Sequence, residues 1–173
     1  KALNVNSVGI VRDRPDVGKL VDYLKSLGAS EILTEEQCRS TKIFKSNQMS
    51  KPKLALNCVG GKNALEMSKH LDHGGIMVTY GGMSREPVVA PTSSLIFKDI
   101  QFRGFWMTRW KEQKGRSQEA QAMFEDLFNL IASGALKAPS HELIPFENYQ
   151  KAIENALSFQ GFAGSKLLLD FRS

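Results

Sequence analysis

Three adjacent charged residues, Arg12, Asp13 and Arg14, are the first candidates for chemistry in this chain. They follow the β-branched run at residues 6–11, which is typical of a strand. Two guanidinium groups at the end of such a strand can hold a phosphate through paired, charge-assisted hydrogen bonds. The carboxylate of Asp13 can instead accept from a ribose hydroxyl, and a solvated turn is the third interpretation. The three residues are therefore candidate ligands for the ribose or 2′-phosphate of a dinucleotide.

Three short apolar runs further along the chain contain glycine at or near their carboxyl ends. The runs read LALNCVGG, IMVTYGGM and IQFRGFW. An apolar run that stops at glycine suits a buried parallel strand whose carboxyl end lets a flat ligand approach the backbone. The alternative is a strand that ends in a plain turn. The candidate cofactor contacts after the second run are Tyr80, Gly81, Gly82 and Met83.

Composition excludes several classes of protein. The 173 residues are 42% hydrophobic and 24% charged, which is enough for a domain with a real core. No apolar run is long enough to span a bilayer, and the first residues lack the layout of a signal peptide. The net charge is +5, but Lys and Arg are scattered rather than interleaved with aromatics as in nucleic-acid binders, so no nucleic acid and no membrane is expected as a partner. We interpret the excess of positive charge as suited to binding phosphorylated small ligands or an acidic carrier protein.

Strand and helix patterns alternate along the chain, which predicts an α/β fold with a parallel sheet and right-handed crossovers. The glycine pair at 60–61 leads from the third strand into a helix, and a proline-containing loop is expected between 80 and 100. The predicted strands cover residues 6–11, 31–33, 54–59, 76–80, 100–105, 142–144 and the run KLLLDF. The predicted helices cover residues 17–27, 65–71, 118–133 and 146–157.

The glycine-rich fingerprint G-x-G-x-x-G, which opens a dinucleotide-binding domain, is not present in these residues. In a doubly wound sheet of order 3-2-1-4-5-6, the first strand lies at the centre, between the second and the fourth. If residues 6–11 form the second strand, the central strand is missing and unpaired ladder groups run down the middle of the sheet. The sequence therefore predicts the later part of a nucleotide-binding enzyme, or a sheet that is rearranged or completed by another chain.

Five segments, in one order, resemble the mitochondrial 2-enoyl thioester reductases. They are Arg12-Asp13-Arg14, LALNCVGGK, VTYGGM, SLIFKDIQFRGFW followed by Trp110-Lys111, and Ser165-Lys166 before the last apolar run. These enzymes are NADPH-dependent members of the zinc-independent medium-chain dehydrogenase/reductase superfamily. The resemblance covers nearly the whole chain, but the family's amino-terminal half is absent, with most of the catalytic domain, the glycine-rich turn and the substrate-side tyrosine.

The resemblance implies a Rossmann-like doubly wound parallel sheet that lacks its first strand. It implies a partial NADPH-binding domain at residues 1–139 and, at 140–173, a strand-helix-strand segment that returns to the catalytic domain. In the family, the backbone of Phe105, Trp106 and Met107 would contact the nicotinamide amide, and Lys166 would contact the cofactor. A core aromatic cluster and a solvated lysine are the alternatives. No catalytic residue and no metal ligand is assigned to this chain.

The reaction implied by the resemblance is NADPH-dependent reduction of a trans-2-enoyl thioester of coenzyme A or acyl carrier protein in mitochondria. Hydride reaches the β-carbon, the thioester carbonyl takes up enolate charge, and a proton is added at the α-carbon. A homodimer joined through the sixth strand, residues 100–105, is expected. The alternatives are an NADPH:quinone reductase-like enzyme and a truncated, non-catalytic isoform that binds a partner through its exposed sheet.

Overall fold

A computed structural model describes residues 2–157 and 166–172 of the chain. It divides into two compact units, Leu3–Ala120 and Gln121–Ser173. Within the described residues, none of the helices combines the length and the apolar character that a membrane span needs. The strands are β1 (Val8–Val11), β2 (Glu31–Thr34), β3 (Leu54–Asn57), β4 (Ile76–Thr79), β5 (Gln101–Gly104), β6 (His141–Pro145) and β7 (Lys166–Asp170). The helices are α1 (Val17–Ser26), α2 (Glu35–Ser40), α3 (Gly61–His70), α4 (Thr92–Lys98), α5 (Met107–Lys114), α6 (Gln118–Ala132) and α7 (Tyr149–Leu157), with a 3₁₀ turn at Phe146–Asn148.

The first unit contains two parallel sheets. One pairs β1 with β2, and the other has the order β3-β4-β5. In the order predicted from the sequence, these are strands 3-2 and strands 4-5-6, and the described residues place no strand between β1 and β3. The predicted fold class, an α/β doubly wound parallel sheet without its first strand, is confirmed.

The core of the three-stranded sheet lies on one of its faces. Ala55 and Met77, which are opposite each other in the register, pack there with Ala64 of α3 and with Leu71 and Ile100. Fully burying an aliphatic side chain of the size of Leu or Met contributes about 1.5–3 kcal/mol. Side chains alternate along a strand, so the neighbouring residues of β3 lie on the other face. That second face is open in the described residues, and it is where the candidate site forms.

Three helices were not predicted from the sequence. Helix α2 begins with a capping box, in which the Thr34 hydroxyl accepts from the backbone N–H of Gln37 and the Gln37 side chain accepts in return. Helix α4 forms within the segment that was expected to be a loop, and it ends at Asp99, whose φ is 50°. Helix α5 follows β5 after only two residues. Between β4 and β5, residues 80–91 therefore form the expected proline-containing loop, and the short helix α4 after them was not predicted.

The second unit contains the predicted strand-helix-strand segment. Strands β6 and β7 are parallel, with His141 opposite Lys166, and α7 lies between them in the chain. The rings of Phe146 and Phe171 are 4.8 Å apart at their centroids. Ser165, which belongs to the predicted final motif, lies outside the described residues. The division at residue 139 into a cofactor domain and part of a catalytic domain stays a prediction.

Candidate functional site

A buried asparagine organises the loops at the carboxyl edge of the three-stranded sheet. Asn57, the last residue of β3, is only 1% exposed. Its Oδ1 accepts from the backbone N–H groups of Val59 and Gly60, both at 3.1 Å, and its Nδ2 donates to Oγ1 of Thr79 at 3.1 Å. Because each of these buried polar groups has a partner, the side chain is accommodated without an unsatisfied hydrogen bond. Asn57 therefore fixes the β3 loop against the end of β4.

The glycines of the two pairs let these loops pack closely. Gly60 has a φ of 89°, and a Cβ at this position would lie 2.8 Å from the carbonyl oxygen of Glu86. A Cβ on Gly81 would lie 3.2 Å from the carbonyl oxygen of Cys58. Gly82 is different, because a Cβ there would meet no heavy atom of the described residues within 4 Å. The loop packing therefore requires glycine at position 60, Gly81 packs tightly against Cys58, and the backbone of Gly82 is open to a ligand.

An apolar cavity of about 360 Å³ lies at this edge of the sheet. It is lined by Leu56, Val78, Tyr80, Phe105 and Met107. Cavities of this size and character are typical of small-molecule sites. The structure thus brings together three of the residues predicted from the sequence, the tyrosine after β4 and the phenylalanine and methionine after β5. The two aliphatic residues were missed, although the apolar strand runs LALN and IMVT contain them.

The pKa of Tyr80 is raised above its ordinary value, mainly by a hydrogen bond with the side chain of Cys58, a residue that was not among the predicted site residues. Partial burial and the negative charge of a Cys58 thiolate act in the same direction. The phenol therefore stays neutral and keeps its proton beside the cavity at physiological pH. The sequence feature that could have identified Cys58 as a site residue is its position directly after the strand LALN.

Arg12, Asp13 and Arg14 lie directly after β1, as predicted. Oδ1 of Asp13 accepts from the backbone N–H of Arg14 at 2.9 Å, and Nε of Arg14 donates to the carbonyl of Arg12 at 3.4 Å. Arg12 and Asp13 are exposed and Arg14 is half-buried. They do not line the apolar cavity. Their position at the carboxyl end of a parallel strand is where ligands of doubly wound sheets bind.

The other predicted site residues do not line the cavity either. Met83 is 81% exposed. Trp106 is also exposed, and the guanidinium of Arg109 lies 5.4 Å from the centre of its ring. Lys166 opens β7 in the second unit, where its backbone N–H donates to the carbonyl of Ser140 at 2.9 Å and its side chain is exposed. Their roles at a cofactor stay predictions.

Comparison with models of known protein families shows to which family the chain belongs. Residues 5–129 match the model of the zinc-binding dehydrogenases. The chain belongs to this family. The family name implies zinc, but in the part of the chain that the structure describes, no three His, Cys, Asp or Glu side chains come together as a metal site requires. The described side chains therefore do not fit a zinc ion.

Similar proteins narrow the comparison to enoyl reductases. Mouse mitochondrial enoyl-[acyl-carrier-protein] reductase is 48% identical over 171 residues, which cover 97% of this chain and 44% of the relative. The Etr1p/Etr2p mitochondrial 2-enoyl thioester reductase heterodimer from Candida tropicalis has a chain that is 34% identical, with a TM-score of 0.81 over 90% of this chain and 46% of its own. Etr1p in complex with NADP and crotonyl-CoA is 32% identical, with a TM-score of 0.84 over 99% of this chain and 48% of its own. The predicted resemblance is confirmed, and the chain spans just under half the length of these relatives.

Proteins of the quinone reductase type are more distant. A Bacillus thuringiensis protein assigned as an NADPH:quinone reductase is 17% identical, with a TM-score of 0.78 over 97% of this chain and 49% of its own. At that identity the likeness shows the shared fold alone. Sequence similarity therefore favours the enoyl reductases over the alternative enzyme class.

Proposed function

We propose that the protein to which this chain belongs is an NADPH-dependent reductase of trans-2-enoyl thioesters that acts in mitochondria. The observation that carries the proposal is the 48% identity with a mitochondrial enoyl-[acyl-carrier-protein] reductase across 97% of the chain. The Etr1p complex with NADP and crotonyl-CoA supports the choice of cofactor and of a thioester substrate. The apolar cavity at the ends of β3, β4 and β5 has the size and lining for a nicotinamide ring with a short acyl chain.

Residues of this chain fit parts of NADPH. Arg12 and Arg14 would hold the 2′-phosphate through charge-assisted hydrogen bonds, while Asp13 orders the turn between them through its bond to the Arg14 N–H. The open backbone at Gly82 would let the nicotinamide half approach the sheet. The other proposed contacts are Tyr80, Gly81, Met83, Phe105, Trp106, Met107 and Lys166. When bound, NADPH supplies the hydride that the β-carbon of the substrate receives.

The side chains around the cavity would position the reactants and exclude water. Leu56, Val78, Phe105 and Met107 offer apolar walls, which keep water from a reactive β-carbon. The hydroxyl of Tyr80 stays neutral with its proton engaged by Cys58, so the phenol would offer its ring and an acceptor oxygen to a bound ligand. Addition of that hydride at the β-carbon would move the electron pair of the C=C bond toward the thioester oxygen, and a proton would then add at the α-carbon. We assign no catalytic residue to this chain.

We also propose a homodimer that forms through the open edge of β5. Gln101 donates to the Gly75 carbonyl and Phe105 donates to the Thr79 carbonyl, both at 2.9 Å, so the intervening N–H groups of Phe102 and Gly104 point away from β4. An exposed edge with unpaired donors is a site for strand pairing. The heterodimer of the Candida tropicalis relatives supports an assembly of two subunits.

The side chain of Arg103 does not obstruct this edge. Its Nη2 donates to Oε1 of Gln101 at 2.6 Å, on the same face of the strand. The guanidinium of Arg103 is therefore held along its own strand, at an exposed position.

Turnover by the whole protein tests the proposed function. NADPH oxidation is measured with crotonyl-CoA and with a soluble benzoquinone, and kcat/KM is expected to favour the thioester by roughly tenfold or more, because substrate discrimination arises from contacts in the reacting complex. A preference for the quinone would support the alternative enzyme. Turnover of neither substrate would support the non-catalytic isoform.

A further inference from the structure

A single residue, Glu86, fills the space that the glycine pair at positions 60 and 61 leaves free. A Cβ on Gly60 would lie 2.8 Å from the backbone carbonyl oxygen of Glu86. A Cβ on Gly61 would collide with Oε2 of the same glutamate and would lie 3.1 Å from its Cβ. The two glycines therefore accommodate the backbone and the side chain of one residue from another loop.

The carboxylate of Glu86 lies at the amino terminus of α3. Gly61 is the first residue of this helix of ten residues, its N-cap Gly60 has no side chain, and its first turn contains no acid. The first N–H groups of a helix have no acceptor within the helix, and the helix dipole favours a negative charge beside them. Oδ1 of Asn57 accepts from the N–H of Gly60. Glu86 supplies the negative charge that the first turn of α3 does not contain.

Hydrogen bonds tie the loop before Glu86 to the loop that follows β3. The N–H of Met83 donates to the carbonyl of Cys58 at 3.0 Å. The N–H and the hydroxyl of Ser84 both donate to the carbonyl of Val59, at 2.9 Å and 2.7 Å. The same hydroxyl accepts from the N–H of Glu86 at 3.1 Å. The loop after β4 is therefore bound to the loop after β3 at several points, and Glu86 is the last of them.

We propose that Glu86 is a positioning residue for the nicotinamide half of NADPH. This inference rests on the proposed function, in which Gly82 and Met83 contact that half of the cofactor. Glu86 does not line the cavity, so it acts through the loop that it anchors. A loop that is already held in its binding arrangement lowers the cost of ordering when a ligand binds. Without Glu86, the loop would adopt that arrangement in only a fraction of the molecules.

The test compares the binding of two ligands to the whole protein by calorimetric titration. NADPH would engage both halves of its site, whereas adenosine 2′,5′-bisphosphate carries only the phosphate end that Arg12 and Arg14 would hold. Glu86→Ala should raise the Kd of NADPH by roughly fivefold, because apparent affinity falls with the fraction of molecules in the binding arrangement. The Kd of adenosine 2′,5′-bisphosphate should stay unchanged. Glu86→Gln keeps an oxygen acceptor but loses the charge, so its Kd for NADPH should lie between those of the other two proteins.

Steady-state kinetics with crotonyl-CoA give a second readout. In Glu86→Ala, the KM for NADPH should rise, while kcat at saturating NADPH should change by less than about twofold, because bound cofactor selects the ordered loop. A general structural defect would instead reduce the active fraction of the protein. Such a defect would lower kcat without a selective rise in the KM for NADPH.

Glu36→Ala is the matched control. Glu36 is also an exposed glutamate at the beginning of a helix, in the first turn of α2. It does not contact the glycine pair, since the atoms nearest to both glycines belong to Glu86 and Ser84. The same substitution there should leave the ratio of the two Kd values unchanged.

Three results separate the role of Glu86 from the proposed function. If Glu86→Ala leaves NADPH binding unchanged, or weakens both ligands equally, the positioning role is overturned while the proposed function stands. If the whole protein binds NADPH but reduces no enoyl thioester, the proposed function fails, and the ratio of the two Kd values still decides the role of Glu86. A whole protein that does not bind NADPH overturns both.

Discussion

At the scale of single residues, Arg12 and Arg14 carry the proposed selection of NADPH over NADH. Replacing both with alanine in the whole protein should weaken NADPH binding by about 2–4 kcal/mol, because two charged hydrogen bonds to the 2′-phosphate would be lost. NADH lacks that phosphate and should be affected little. Calorimetric titration with each cofactor measures the difference, with the exposed Arg39→Ala as the control. Equal losses for both cofactors would contradict the role of the pair.

The second prediction at this scale concerns the pH at which the phenol of Tyr80 loses its proton. Its pKa is raised mainly by the hydrogen bond with Cys58, so the interaction is present at lower pH and is lost as pH rises through the titration of the phenol. Cys58→Ala should lower the pKa of Tyr80. The measurement is the ultraviolet titration of tyrosinate, with the Tyr80→Phe spectrum subtracted to isolate this residue. Cys38→Ala, which removes the other thiol of the chain, should leave the curve unchanged.

Asn57 shows what residue-level reading of the sequence misses. The run LALN does not predict that its last residue, Asn57, is buried with three hydrogen bonds. The partners of these bonds lie in the following loop and on β4. Asn57→Leu should destabilise the chain by about 2–4 kcal/mol, since two backbone N–H groups lose their acceptor. Urea unfolding measures this. Asn63→Leu, which breaks an exposed bond to Glu35, should cost less than about 0.5 kcal/mol and serves as the control.

At the scale of elements, β5 is the strand on which the proposed dimer depends. Phe102→Pro removes an N–H that points away from β4, so the ladder to β4 keeps its donors at Gln101 and Phe105. The variant should convert a dimer of the whole protein to a monomer in light scattering. Phe102→Ala removes the same ring from the core but keeps the N–H, and it should remain a dimer. A proline variant that is still dimeric would contradict pairing through this edge.

The elements also show how far sequence patterns reach. The strands of the first unit begin and end within two residues of the expected limits, because short apolar runs bounded by glycine or charge are a local signal. Helices α2, α4 and α5 have six, seven and eight residues, too few for a clear helical period. One of their stabilising contacts is non-local, as Nζ of Lys98 at the end of α4 donates to the carbonyl of Lys69 at 2.8 Å. Such a contact is invisible in either segment alone.

At the scale of the whole molecule, strand order followed from topology rather than from residue chemistry. Right-handed crossovers and the order 3-2-1-4-5-6 separate β1 and β2 from β3, β4 and β5, as the structure has them. The cavity could not be predicted in the same way. Its lining joins residues of β3 and β4 with those that directly follow β4 and β5 and with the first residue of an unpredicted helix, and their convergence depends on register and loop packing.

Measuring NADPH binding by the 173-residue chain alone tests whether the site for the cofactor's pyrophosphate lies outside these residues. The helix-opening glycine-rich turn, which cradles a pyrophosphate with backbone N–H groups, is not among these residues. Arg12, Arg14 and the cavity would then bind the two ends of the cofactor without holding its centre. We expect no heat of binding in calorimetry at micromolar NADPH, whereas the whole protein binds under the same conditions. Micromolar affinity of the chain alone would mean that the pyrophosphate site lies within it, and that β1 is not the second strand of the sheet.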